Sequence, residues 1–179
     1  MLRDRIAKLF GGGMQASTPG TGAKAPEFRL PALDGKQYSL SEALGRGPTL
    51  LAFFKESCPI CQFTLPFIER IFQRLNHAGG VQIWGISQDD ERDSRDFAKE
   101  YKLSFPILLD QSGYPVSNAY GLTMVPTLFL IEPDGKITLA SLGFDRKEIE
   151  TIAARLGECA DKKITPFLAG ENIPDYKPG

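Results

Sequence analysis

The sequence predicts an α/β fold in which a central mixed sheet carries helices on both faces, and three observations predict it. Thr49-Leu50-Leu51-Ala52-Phe53-Phe54, Val81-Gln82-Ile83-Trp84-Gly85-Ile86 and Thr127-Leu128-Phe129-Leu130-Ile131 are apolar almost throughout, the texture of strands covered on both sides. Stretches of helical period, from Cys58 to about Asn76 and from Arg146 to Leu156, separate or follow them. Glu132-Pro133-Asp134-Gly135-Lys136 is a tight-turn signal that folds the third strand back on residues 136–142. Strand–helix–strand alternation closed by a hairpin and a helix is the order of a sheet layered between helices.

The remaining elements follow in chain order. Residues 11–26 are small, polar and rich in glycine and proline, a linker composition. Phe28-Arg29-Leu30 and Leu33 to Leu40, with Asp34-Gly35 between them, read as an N-terminal hairpin, and Ser41 to Leu44 as one helical turn. The helix after the first strand places Ile60, Phe63, Phe67, Ile71 and Leu75 on one face. Asp89-Asp90 offers caps to a helix that turns Phe97, Ala98 and Tyr101 inward, and Ile107-Leu108-Leu109 is an added strand. Pro115 to Tyr120 is a short helix, and the last helix repeats Ile149, Ile152, Ala153 and Leu156. Beyond Gly157 prolines recur and apolar anchors are few, so the tail is expected to wrap loosely or be disordered. The organisation is a flexible segment over residues 1–23, one domain over 24–157 and a C-terminal tail over 158–179.

Composition narrows the function classes. A chain of 179 residues, 42% apolar and 24% charged, can bury a core without disulfide staples. A formal net charge of −1, with lysines and arginines scattered singly, excludes a broad electrostatic surface for nucleic acid or anionic membrane. Near the start Asp4, Arg5 and Lys8 interrupt the apolar residues a signal peptide would need, and no stretch is long enough for stable membrane insertion. Ile6, Leu9 and Phe10 could line a short helix. A cytoplasmic location is therefore expected.

Three cysteines make no disulfide framework, and a single histidine makes no zinc site, so neither a metal nor a cofactor is expected. His77 falls where the long helix ends and reads as a cap interaction with its dipole; Trp84 reads as core. Cys159 reads as a half-buried thiol after the last helix. The chemistry concentrates in Cys58-Pro59-Ile60-Cys61. Cysteines at i and i+3 on a first helical turn face the same way, close enough to form a small-ring disulfide. A helix N-terminus stabilises a thiolate, Ser57 is a candidate N-cap, and Pro59 suits an early helical position. Cys58 is then the nucleophile and Cys61, one turn deeper, the resolving thiol.

With those residues in place, the chain resembles the thioredoxin superfamily over roughly residues 24–156. It is most similar to the branch joining TlpA-like thiol-disulfide reductases with the alkyl hydroperoxide reductase/thiol-specific antioxidant proteins. Phe53 to Cys61 resembles the family's strand-to-active-site segment, and Pro66 its helix-kinking proline, an odd choice otherwise because a mid-helix proline costs ~3 kcal/mol. Gly85-Ile86-Ser87-Gln88-Asp89 resembles this branch's strand end, Glu132 to Lys136 its hairpin turn, and residues 90–110 its helix–strand insertion. Met124-Val125-Pro126-Thr127 resembles the cis-proline loop, which faces the disulfide and pairs with substrate backbone. The resemblance implies a thioredoxin-like fold and substrate contacts at Val125, Pro126, Pro59 and Ile60. It implies exchange of the Cys58–Cys61 pair with client protein or small-molecule disulfides and an external dithiol reductant, and it leaves the oligomeric state open. Relatives of this type also work outside the cytoplasm, which makes an extracytoplasmic location the alternative. The chain departs from thioredoxin at Ala52, where a buried acid for proton transfer would stand, and at Ser57 and Pro59-Ile60. Lys55 and Glu56 read as solvated charges near the thiols.

Two rivals remain. A peroxiredoxin would carry a threonine three residues before its peroxidatic cysteine and a proline four before that; aligned on Cys61, Cys58 and Phe54 stand there. A non-catalytic redox-sensing module would use the disulfide to switch partner affinity, with the tail as effector.

Overall fold

In a computed structural model, residues 18–179 are described. The short-helix reading of Ile6, Leu9 and Phe10 lies outside them. The N-terminal hairpin is β1 (Arg29–Pro31) and β2 (Gln37–Ser39), antiparallel, with Asp34 Oδ1 accepting from the Lys36 N–H at 3.0 Å across the turn. After α1 (Leu40–Leu44) come β3 (Thr49–Phe54), α2 (Pro59–Leu75), β4 (Gln82–Ser87), α3 (Glu91–Glu100) and β5 (Ile107–Leu109). They are followed by α4 (Pro115–Ala119), β6 (Thr127–Ile131), β7 (Ile137–Leu142), β8 (Phe144–Asp145), α5 (Arg146–Cys159) and β9 (Tyr176–Lys177).

The main sheet runs β5-β4-β3-β6-β7. The strand read as central is central, parallel to β4 on one side and antiparallel to β6 on the other, because the β6–β7 hairpin reverses direction. Every residue of β3 is buried, and the period of 2 divides them. Leu50, Ala52 and Phe54 join a core with α2, α3 and α5, while Leu51 and Phe53 join one under the hairpin, α1 and α4. Trp84 lies in the second core, edge-on to Phe28 and Tyr38, as its position on a covered strand predicts.

Three local expectations change. The buried face of α2 runs through Cys61, Leu65, Ile68, Ile71 and Leu75, so Ile60 and Phe63 are only half-buried. The end of that helix is held by a residue far along the chain. Asn76 turns left-handed, His77 packs edge-on against Phe72, and the Lys162 ammonium donates to the Arg74 and Leu75 carbonyls at 3.2 and 3.0 Å. Cys159 closes α5 rather than following it, with Arg155 Nη1 donating to its Sγ at 3.0 Å.

The tail is packed, not loose. Ile164 and Phe167 are buried, the Phe167 ring lies 4.9 Å from that of Phe67, and β9 pairs antiparallel with β8. Arg70 grips both Glu171 oxygens, at 2.6 and 2.8 Å. Two apolar anchors and a two-pronged ion pair suffice because the domain presents a ready-made surface to them. The Arg70 guanidinium, aided by the Leu168 N–H, pulls the Glu171 carboxyl down to about 2 from the ordinary 4.5. A folded value below the unfolded one stabilises fully above the ordinary pKa and is lost as pH falls through about 2. A carboxyl-carbon NMR titration should find Glu171 ionised well below the usual carboxylate range, and Arg70→Gln should return its midpoint towards 4.5. A midpoint indifferent to that substitution would remove the ion pair from the account of how the tail is held.

Candidate active site

The reactive segment is built by its proline. A residue before proline is pushed to extended backbone, and proline is at home at the first helical position. Cys58 accordingly takes φ −88° and ψ 112° and is itself the N-cap of α2, the place the sequence reading assigned to Ser57. Its sulfur does the work of a capping oxygen: the Cys61 N–H donates to Cys58 Sγ at 3.2 Å. That bond sets the Cys58 sulfur at the start of the helix, beside its first backbone N–H groups.

The two cysteines are free thiols in different surroundings. Cys58 is half-exposed; Cys61 is fully buried against Leu65 and its neighbours. Burial first, and then the hydrogen bond with the Cys58 sulfur, hold the Cys61 thiol far above the ordinary range. One sulfur is open to solvent, and the other is buried and held protonated.

Sheet register brings in the second half of the site. Phe53 on β3 faces Thr127 on β6, so the loop before Thr127 lies beside the end of β3 from which the cysteines spring. The Val125–Pro126 peptide is cis, and the Val125 carbonyl lies 3.4 Å from Cys58 Sγ, close enough to accept from the thiol. Val125 is half-buried between the two cores and Pro126 is buried. Of the residues singled out from the sequence, Cys58, Cys61 and Val125 meet directly. Pro59 is exposed beside Cys58, and Ile60 turns partly into the core.

One contributor was read from the sequence only as a helix cap. Asp90 caps α3, accepting from the Asp93 N–H at 2.8 Å; Asp89, on the same loop, accepts from the Glu56 N–H at 2.6 Å. The parallel register of Phe54 with Ser87 sets the two loops side by side, and the Gln88 N–H donates to the Phe54 carbonyl at 3.1 Å. Gln62 Nε2 donates to the Glu56 carbonyl at 2.9 Å, so the segment leading to Cys58 is held from both sides. Burial raises the Asp89 carboxyl pKa, partly offset by the Glu56 N–H and the Lys55 charge. Burial also raises that of Glu56, with Asp93, Asp89, Asp90 and Glu100 adding to it. Ala52, where thioredoxins keep an acid, is fully buried in the core. The Asp89 charge reaches Cys61 and opposes its ionisation. The signal for Asp89 lay in the Gly85 to Asp89 segment, but its second role depends on which strand β4 pairs with.

The comparisons with known proteins agree with this geometry. The profile of the AhpC/TSA family matches residues 21–140. The thiol-disulfide oxidoreductase ResA of Bacillus thuringiensis subsp. konkukian is 32% identical over 146 residues, 81% of this chain and 79% of the relative. Among solved structures, the thioredoxin domain of a thiol-disulfide oxidoreductase from Bacteroides vulgatus superposes with a TM-score of 0.68. It is 24% identical and covers 76% of this chain and 97% of its own. A secreted Mycobacterium tuberculosis disulfide oxidoreductase homologous to Escherichia coli DsbE reaches a TM-score of 0.60 at 20% identity, covering 73% of this chain and 95% of its own. The likeness to ResA and to a secreted, DsbE-homologous oxidoreductase corrects the expectation of a cytoplasmic location. That expectation rested on the interrupted apolar run near Met1, outside the described residues. The folded domain bears no address, because a buried sheet and a dithiol are built alike on either side of a membrane. No helix among the described residues is long and apolar enough to cross one.

Proposed function

Since the chain belongs to the AhpC/TSA family, we propose that its thiol-disulfide oxidoreductase activity is carried by Cys58 as attacking thiol and Cys61 as resolving thiol. The observation that carries this reading is the Cys58 sulfur, half-exposed at a helix start, taking the Cys61 N–H and facing the Val125 carbonyl.

The Cys58 thiolate attacks one sulfur of a client disulfide. A Cys58–client bond forms, the client S–S bond breaks, and the second client sulfur leaves as a thiolate that takes up a proton. Cys61 then gives up its proton and attacks the Cys58 sulfur. The Cys58–Cys61 bond forms, the mixed disulfide breaks, and the remaining client thiolate leaves reduced. Two electrons have passed from the pair to the client. Pro59 and Ile60 border the attack site, and the Val125-Pro126 loop aligns the client. Disulfide-bearing client proteins and a reductant are the partners the family implies; an external dithiol restores the pair, and small-molecule disulfides are admitted as well.

A redox titration in glutathione or dithiothreitol buffers, read by alkylation and mass shift, should show one reversible disulfide between Cys58 and Cys61. A potential near about −270 mV makes the chain a reductant, and one near about −120 mV an oxidant. Absence of any reversible Cys58–Cys61 disulfide would sink the reading.

A further inference from the structure

The last residues of the chain finish over the same loop. The Arg146 N–H donates to the Asp175 carbonyl at 2.9 Å, and β9 pairs with β8 in the register Phe144 with Lys177 and Asp145 with Tyr176. The Lys177 ammonium stands 5.1 Å from the centre of the Phe63 ring, on the first turns of α2. The strand then crosses Gly143. With φ +76° this position suits glycine, and an added Cβ would stand 2.5 Å from the Lys177 carbonyl oxygen and 2.9 Å from the Gly179 nitrogen. Gly179 lies against Val125: a Cβ on it would stand 2.5 Å from the Val125 carbonyl oxygen and 3.4 Å from Met124 Sδ. That carbonyl is the atom Cys58 Sγ faces at 3.4 Å. An extended segment of this chain therefore runs along the edge of β8, over a floor without a side chain, to the oxygen beside the reactive sulfur.

We propose that the β8 edge, Gly143 and Val125 form a docking groove for an extended client segment, and that residues 175–179 are its resident occupant, displaced when a client docks. The proposal rests on the Cys58 reading above. The occupant displays the chemistry the groove takes. The β8 edge offers backbone pairing, the Phe63 face takes a cation, and the close ground at Gly143 and Val125 admits only a small residue near the sulfur. A client segment that is extended, with a lysine or arginine two residues before a small one, matches it. The hold is short, two paired residues with Tyr176 and Pro178 exposed, which suits exchange. Tethering still gives the tail a high effective concentration, so a poorly matched strand is kept out while a small disulfide, which needs no groove, is not.

The test compares the full chain with one ending at Ile173, on insulin and on hydroxyethyl disulfide, with dithiothreitol as reductant. Truncation should raise insulin reduction at least about fivefold and leave hydroxyethyl disulfide within about twofold, and a free peptide of residues 174–179 should reverse the gain. Equal or slower insulin reduction after truncation, with hydroxyethyl disulfide still reduced, overturns the groove alone. Loss of both activities from the full chain overturns the Cys58 reading and the groove with it. A second readout needs no truncation. In the full chain carrying Cys61→Ala and disulfide-linked to insulin through Cys58, the Arg146 and Lys177 amides, which face the β8–β9 ladder, should lose hydrogen-exchange protection. Protection retained in that complex overturns the displacement.

Discussion

Cys58→Ser should lower disulfide reductase turnover by on the order of a thousandfold or more, because serine leaves no thiolate to attack a client disulfide. The fold should survive. Cys58 is the N-cap of α2, its sulfur already accepts the Cys61 N–H, and serine is among the preferred residues for that role. Cys61→Ala should fail differently. The attacking sulfur is intact, so the first step proceeds and the reaction stops at the mixed disulfide, visible as a reductant-sensitive adduct on a gel. Alanine is chosen because Cys61 is fully buried among apolar side chains and a serine hydroxyl there would cost about 1–3 kcal/mol. Insulin reduction and non-reducing electrophoresis of the two variants check both halves. An adduct on Cys58→Ser instead of on Cys61→Ala would reverse the roles, and the difference in exposure between the two sulfurs argues against it.

Phe144→Ala should remove about 3–5 kcal/mol of stability, the usual range for truncating a fully buried phenylalanine. Phe144 has no exposed surface, and its ring lies 4.9 Å from Phe63, 5.9 Å from Phe67 and 6.0 Å from Phe167. It joins the active-site helix to the tail, and its backbone pairs with Lys177. The cavity would loosen three elements together: the first turns of α2, the packing of the tail, and β9. Urea unfolding should shift to a lower midpoint at unchanged slope. A loss below about 1 kcal/mol would mean that the site can collapse and that the tail is held elsewhere, with the Arg70–Glu171 pair as its remaining anchor.

Much of the molecule was legible before any coordinates because the signals were local. A run such as Thr49 to Phe54 states its own burial through composition. The spacing of Cys58 and Cys61 states which sulfur lies one turn deeper. The Asp-Gly turns name their own hairpins. The change of N-cap from Ser57 to Cys58 was also within reach, since Pro59 restricts only the residue before it. Location was not legible at all, because no contact within the domain depends on it.

What stayed hidden depends on residues distant in sequence. Lys162 capping the end of α2 spans 87 and 88 positions, and Arg70 to Glu171 spans 101. The tail looked loose because its anchors, Ile164 and Phe167, have no period; burial became available only once β8, α2 and α5 had formed a surface to receive them. By itself the sequence determined most of the elements, their order and the placing of Cys58 and Cys61 on the first turn of one helix, since periodicity and spacing act along the chain. Tertiary structure decided what else surrounds that pair. Sheet register carried Asp89 to the Glu56 N–H, and long-range packing laid the tail over the Val125 loop; neither is encoded in any window of neighbouring residues.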